Sequence, residues 1–130
     1  MWKTGWRAWM PALLWSALIF GLSSIPGHKL PTLPGWWNAD KFVHTGIYAV
    51  LGALCWFGAR GTLPARHGPA APVLVAFLGA TLYGITDEAH QVFTPMRSPD
   101  AYDVLADAIG GMLGALACVA ILSRKHVRMK

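Results

Sequence analysis

Uncharged stretches interrupted by short polar clusters set the pattern of this chain. Between Arg7 and His28 lie twenty residues without a charge, Ala8 to Gly27. A helix of that length crosses the ~30 Å hydrocarbon core of a bilayer. Pro11 falls in its first turns, where a proline is tolerated. The hydrophobic pattern predicts spans at about 8–25, 40–59, 72–93 and 102–123. Breakers separate them. Pro26, Pro31 and Pro34 occupy the segment from Ile25 to Ala39, and Gly61, Pro64, Gly68 and Pro69 the segment from Arg60 to Ala71. Thr94-Pro95-Met96-Arg97-Ser98-Pro99 reads as a tight turn. The prediction is an all-α, single-domain membrane bundle of four transmembrane helices over residues 1–130. A cleaved signal peptide is the rival reading of the first stretch, with Lys3 and Arg7 as its basic end and Gly21-Leu22-Ser23 as a cleavage signal. The length of the stretch, with Trp9 and Trp15 inside it, favours retention.

Composition sharpens this picture. Charged residues make up 13% of the chain and hydrophobic residues 55%, whereas soluble domains carry roughly 25% charge. That balance excludes a disordered chain, a coiled coil and an ordinary soluble enzyme. Cys55 and Cys118 are too few for a disulfide-stapled fold and read as small packing groups. The net charge of +5 matters less than its distribution. Lys3, Arg7, Arg60, Arg66, Arg124, Lys125, Arg128 and Lys130 fall on one side of the predicted spans. Lys29, Lys41 and Arg97 fall on the other. The positive-inside rule then places both termini in the cytoplasm. Trp36 and Trp37 suit the headgroup level of the outward loop, and the basic tail suits anionic lipid rather than nucleic acid.

All six acidic residues, Asp40, Asp87, Glu88, Asp100, Asp103 and Asp107, belong to the outward ends of the spans. Asp40, His44 and Tyr48 repeat at every fourth residue and share a helix face. With the helical rise, His44 lies about 6 Å below Asp40 and Tyr48 about 12 Å below it. The uncharged part of the last span, Ala108 to Ser123, is only about 24 Å long, so Asp107 enters the apolar zone. His44, Asp87 and Asp107 then fall at one level. Tyr83, Asp87, His90 and Gln91 share one side of the third span, and Asp100, Asp103, Asp107 and Gly110 one side of the fourth. Carboxylates facing lipid are costly, so these faces are expected to meet inside the bundle. Gly110, Gly111 and Gly114 allow close helix approach, within the chain or between copies. The bland alternative is a hydrogen-bonded network that only fixes helix registry.

The chain resembles the VanZ-like membrane proteins, a family named after an accessory factor in glycopeptide resistance. The resemblance rests on Ser23-Ser24-Ile25-Pro26, on Asp40-Lys41-Phe42-Val43-His44 with Tyr48, and on Thr86-Asp87-Glu88-Ala89-His90-Gln91 followed by Arg97-Ser98. It continues in Asp103-Val104-Leu105-Ala106-Asp107 with Gly110 and Gly114. It implies a bacterial envelope protein of the cytoplasmic membrane, with teicoplanin resistance as the family's best-known phenotype. It supplies no established reaction. The family usually has glycine before the turn arginine, where this chain has Met96, so a turn of different shape is expected. Many members carry asparagine where this chain has Asp107.

Three functions suit an acidic, outward-facing intramembrane site. The first is recognition of an envelope lipid or glycolipid head group. Arg97 and Lys41 would hold phosphate, while carboxylates and His44 orient hydroxyls or amines. The second is metal-assisted hydrolysis or transfer on such a lipid, with His44, Asp87, Glu88 and His90 as candidate ligands for a divalent ion. No metal or phosphatase motif accompanies them, which weighs against an enzyme. The third is proton-coupled transport. The candidate ligand-binding residues are Asp40, His44, Asp87, Glu88, Gln91, Arg97, Asp103 and Asp107. Arg97 has a structural alternative, a permanent pair with Asp100 or Asp103.

Overall fold

The computed structural model describes residues 5–31 and 39–128. The predicted headgroup anchors Trp36 and Trp37, the basic residues Lys3 and Lys130, and Pro34 lie outside the described residues. Four α-helices follow one another: α1 (Met10–Ser23), α2 (Ala39–Thr62), α3 (Ala70–Gln91) and α4 (Ala101–Arg128). Short 3-10 turns occupy Trp6–Trp9, Gly27–Lys29 and Ala65–His67. No strand occurs among the described residues.

Among the described residues, three helices are long and apolar enough to cross a membrane: Ala39–Thr62, Ala70–Gln91 and Ala101–Lys125. Their limits fall within a few residues of the predicted ones at the start of each span and run further at the ends of α2 and α4. The first predicted span differs. Its regular α-helix is 14 residues long, because Trp6–Trp9 winds as a 3-10 turn ahead of Pro11 and the chain leaves the helix before Pro26.

The bundle centres on α2, α3 and α4, which pack on one another, with α1 laid along α2 and α3. Small side chains set the spacing. Ala59, Ala76, Ala80 and Ala115 have no solvent exposure. Across α2 and α4, Gly52 meets Gly111, Gly110 meets the Thr45 carbonyl, and Gly114 meets the Ala49 carbonyl. Any side chain at these points would strike backbone, so the glycines serve packing within one chain. Ile19, Leu51 and Trp56 fill the remaining interior, while many other large apolar side chains point outward. Leu74, Leu78 and Leu82 form an exposed stripe on α3, and Leu105, Ile109 and Leu113 another on α4. A small-residue interior with an apolar exterior is the arrangement of helices packed in lipid.

Polar bonds tie α1 to this core. The Trp15 indole N–H donates to the Ile47 carbonyl at 3.0 Å, and the Tyr83 hydroxyl donates to the Ser16 carbonyl at 2.5 Å. At the acidic end, Arg97 caps α1. Its Nε donates to the Ile25 carbonyl at 3.0 Å and its Nη2 to the Leu22 carbonyl at 2.9 Å. The last carbonyls of a helix lack intrahelical partners and carry partial negative charge, which a guanidinium answers well. The structural alternative for Arg97, a pair with Asp100 or Asp103, is thus replaced by a cap on another helix.

Thr94 to Arg97 does form a tight turn, closed by the Arg97 N–H on the Thr94 carbonyl at 3.2 Å. Pro95 stands second and Met96 third, with Met96 at φ 57°. Positive φ at the third position is the hallmark of a type II turn, which favours glycine. Met96 therefore holds a backbone that suits glycine better than a residue with a Cβ.

Candidate functional site

The acidic residues gather at one end of the bundle, in two connected groups. A cavity of about 310 Å³ opens between the ends of α1, α2 and α3. Its apolar wall includes Ile19, Leu22, Val43 and Ile47. Its polar wall consists of Ser23, Asp40, His44, Tyr48, Asp87, Gln91 and Arg97. The four-residue repeat in α2 explains part of this, since Asp40, His44 and Tyr48 all reach the cavity as their shared face requires. Asp87 and Gln91, one helical turn apart on α3, are nearly fully buried at 6% and 4% exposure. Among the described residues, Ser23 Oγ is buried on this wall without a hydrogen-bond partner, and the buried Tyr48 Oη has at most a loose contact with Asp87. Unsatisfied buried hydroxyls are uncommon and call for an explanation.

The second group lies behind the cavity, between α2, α3 and α4. His44 Nδ1 is 2.9 Å from Asp107 Oδ1, and Asp107 is completely buried. Gly84 makes the room, because a Cβ there would crowd the Asp107 carboxyl. Lys41 Nζ donates to three carboxylates, Asp40 at 3.0 Å, Asp100 at 2.8 Å and Asp103 at 2.5 Å. Glu88 Oε2 accepts the backbone N–H of Asp100 at 2.9 Å, and Glu88 Oε1 faces the Gln91 amide at 3.4 Å. Asp100 in turn caps α4, its Oδ1 accepting the Tyr102 N–H at 2.8 Å. The Lys41 ammonium and this N–H hold the Asp100 carboxyl below its ordinary range.

The eight predicted ligand-binding residues therefore divide. Asp40, His44, Asp87, Gln91 and Arg97 line the cavity. Glu88, Asp103 and Asp107 belong to the network behind it, and His44 joins the two. Lys41 does not fit the expected phosphate role, since an ammonium has three N–H donors and three carboxylates take them. Of the metal candidates, His44 and Glu88 come together with Asp103, with one ligand atom from each within 4.8 Å of the others. His90 faces elsewhere, stacked on Phe20 at 4.5 Å and bonded to Ser24 Oγ at 3.0 Å. Helical spacing placed His90 beside Asp87, but it is turned to α1. Sequence reasoning gave Ser23 no site role; a buried hydroxyl at a helix end leaves no periodic signal.

These residues are also the pieces on which the resemblance rested. The profile of the VanZ/LLP1 family matches residues 6–123. The chain is a member of the VanZ/LLP1 family. Over 92 residues this VanZ/LLP1 protein is 30% identical to a homoserine O-acetyltransferase of Methanocorpusculum labreanum. That match covers 65% of the chain and 19% of the relative, so the chain spans about a fifth of the protein it resembles. No solved structure matches it.

Proposed function

We propose that this VanZ/LLP1 protein recognises the head group of an envelope lipid or glycolipid at an outward-facing intramembrane pocket. The observation that carries the reading is the two-sided cavity. One wall is apolar, and the other presents Asp87, His44 and the buried hydroxyls of Ser23 and Tyr48. Such a wall suits an amphiphile whose polar end brings hydroxyls or an amine, and the volume is of the size small ligands occupy. Arg97 spends two N–H groups on α1 and has others to offer a phosphate at the cavity wall.

The proposed setting is the bacterial cytoplasmic membrane with both termini inside. The 14 residues of α1 rise about 21 Å and the preceding 3-10 turn adds about 8 Å. Together they approach the hydrocarbon thickness and would make a fourth span. Reporter fusions at both termini test the topology; an external C-terminus contradicts it. A contribution to glycopeptide resistance, teicoplanin above all, would follow if the bound lipid is an envelope precursor. The acetyltransferase name belongs to a relative of which 19% is matched.

Mass spectrometry of co-purified lipid tests recognition. The wild type should enrich one lipid class over the host membrane, and Asp87→Asn and His44→Ala should lose the enrichment while still folding. A bulk-lipid profile on the wild type, or unchanged enrichment in both variants, would refute the proposal.

A further inference from the structure

We infer that His44, Glu88 and Asp103 form a binding site for one divalent transition-metal cation, of the Zn2+ or Mn2+ kind. The site goes beyond lipid recognition and does not depend on it.

Three helices each contribute one ligand. His44 comes from α2, Glu88 from α3 and Asp103 from α4, and their ligand atoms lie within 4.8 Å of one another. Metal bonds of about 2.0–2.2 Å place ligand atoms roughly 3–3.5 Å apart. A gap at the 4.8 Å limit therefore needs to close by roughly 1.3–1.8 Å on binding.

The outer shell is already built. Each ligand has its other polar atom engaged by a separate group. His44 Nδ1 is held by Asp107 Oδ1 at 2.9 Å. Glu88 Oε2 is held by the Asp100 N–H at 2.9 Å. Asp103 Oδ1 is held by Lys41 at 2.5 Å. His44 Nε2 and Asp103 Oδ2 remain, 3.9 Å apart, and Glu88 Oε1 has a long 3.4 Å contact with the Gln91 amide to give up. The Asp107 contact is the decisive one. A carboxylate on one imidazole nitrogen fixes the N–H there and leaves the lone pair on the other, which is how metal-binding histidines are oriented. Asp107 is fully buried and gives its Oδ1 to His44, which orients the imidazole.

Charge and access agree. Lys41 is shared among Asp40, Asp100 and Asp103, and no ion pair joins Arg97 to a carboxylate among the described residues, two of its N–H groups going to α1 carbonyls. Glu88 and Asp107 are left without a cation beside them unless His44 is protonated or a metal is bound. His44 also lines the cavity, which provides an entry path. One imidazole with two carboxylates is a mixed set that suits Zn2+ or Mn2+ better than Mg2+ or Ca2+.

The experiment uses the purified full chain, stripped with chelator, titrated separately with Zn2+ and Mn2+ and dialysed before metal analysis. One ion per chain should be retained. Glu88→Gln and Asp103→Asn should each weaken affinity by at least tenfold, and Asp107→Asn by about 10-fold. His90→Ala, far from the cluster in function though near it in sequence, should leave affinity unchanged. X-ray absorption of the metal-loaded wild type keeps the proposal open to refutation if a variant misfolds. It should show one imidazole among oxygen ligands. Absence of stoichiometric metal, a sulfur ligand, two imidazoles, or full affinity in Glu88→Gln and Asp103→Asn each overturns the site. Lipid enrichment is measured on metal-free protein, so either proposal can fail without the other.

Discussion

Asp107 grips the Nδ1 edge of His44 at 2.9 Å from a position with no solvent exposure. The two residues sit on different helices, 63 positions apart, and the contact joins α4 to the wall of the cavity. Its demand is for a hydrogen-bond acceptor, and a neutral amide oxygen provides one. Asp107→Asn is therefore expected to fold with a melting temperature near that of the wild type. Asp107→Leu leaves the imidazole N–H unpaired, at a cost of about 1–3 kcal/mol. Thermal unfolding in detergent distinguishes them. Equal losses in both variants would mean that the negative charge itself stabilises the bundle.

Much of this arrangement was legible in the chain. Asp40, His44 and Tyr48 shared a face by spacing, and they share a cavity. The short uncharged stretch of the last span forced Asp107 inward, and it is buried. Periodicity failed where a side chain had a choice of neighbours. His90 lies one turn from Asp87 yet stacks on Phe20, because α1 packs against that edge of α3. Arg97 was expected to hold phosphate, with a carboxylate pair as the alternative, and two of its N–H groups instead found the unpaired carbonyls of α1. Lys41 was read as free because its partners Asp100 and Asp103 are about 60 residues away. Such choices depend on tertiary packing, which spacing along one helix does not encode.

The turn at Met96 makes a separate prediction. Met96 holds φ 57°, and a residue with a Cβ pays roughly 1–2 kcal/mol for left-handed backbone. Glycine removes that cost but loses more entropy on folding, by about 0.5–1 kcal/mol. Met96→Gly should leave stability equal or raised by up to about 1 kcal/mol. Met96→Val should lower it, since a branched Cβ fits this region worse. Paired melting curves decide the matter; a Gly variant clearly below the Val variant would contradict the assignment of strain.

Lys41 among its carboxylates predicts how acid acts. Asp100 has its carboxyl held below its ordinary 3.8, chiefly by the Lys41 hydrogen bond. A lowered native pKa stabilises the fold at pH values above the unfolded one and loses that contribution as pH falls through the native value. Wild-type melting temperature should thus decline on acidification below about pH 4. Lys41→Met reverses the sign for this cluster. Without the ammonium the neighbouring carboxylates repel one another, so protonation relieves strain and the melting temperature should rise over the same interval. Parallel declines in the two proteins would show that Lys41 does not organise the cluster.

The glycines of α4 separate packing within the chain from association between chains. Gly114 faces the Ala49 carbonyl and Gly110 the Thr45 carbonyl, both in α2 of the same chain. A leucine at either point must push α2 and α4 apart, because the obstacle is backbone and has no rotamer to yield. Overpacking of this kind costs about 1–3 kcal/mol or more. Gly114→Leu should lower the melting temperature by several degrees and disturb the nearby cavity, visible as lost lipid enrichment. Its effect on oligomeric state should be nil, since the glycine is already consumed inside the bundle. Size-exclusion chromatography with light scattering reads that directly. A variant that keeps wild-type melting but changes its mass in solution would place Gly114 on a surface between copies, and the packing of α2 on α4 described above would be wrong.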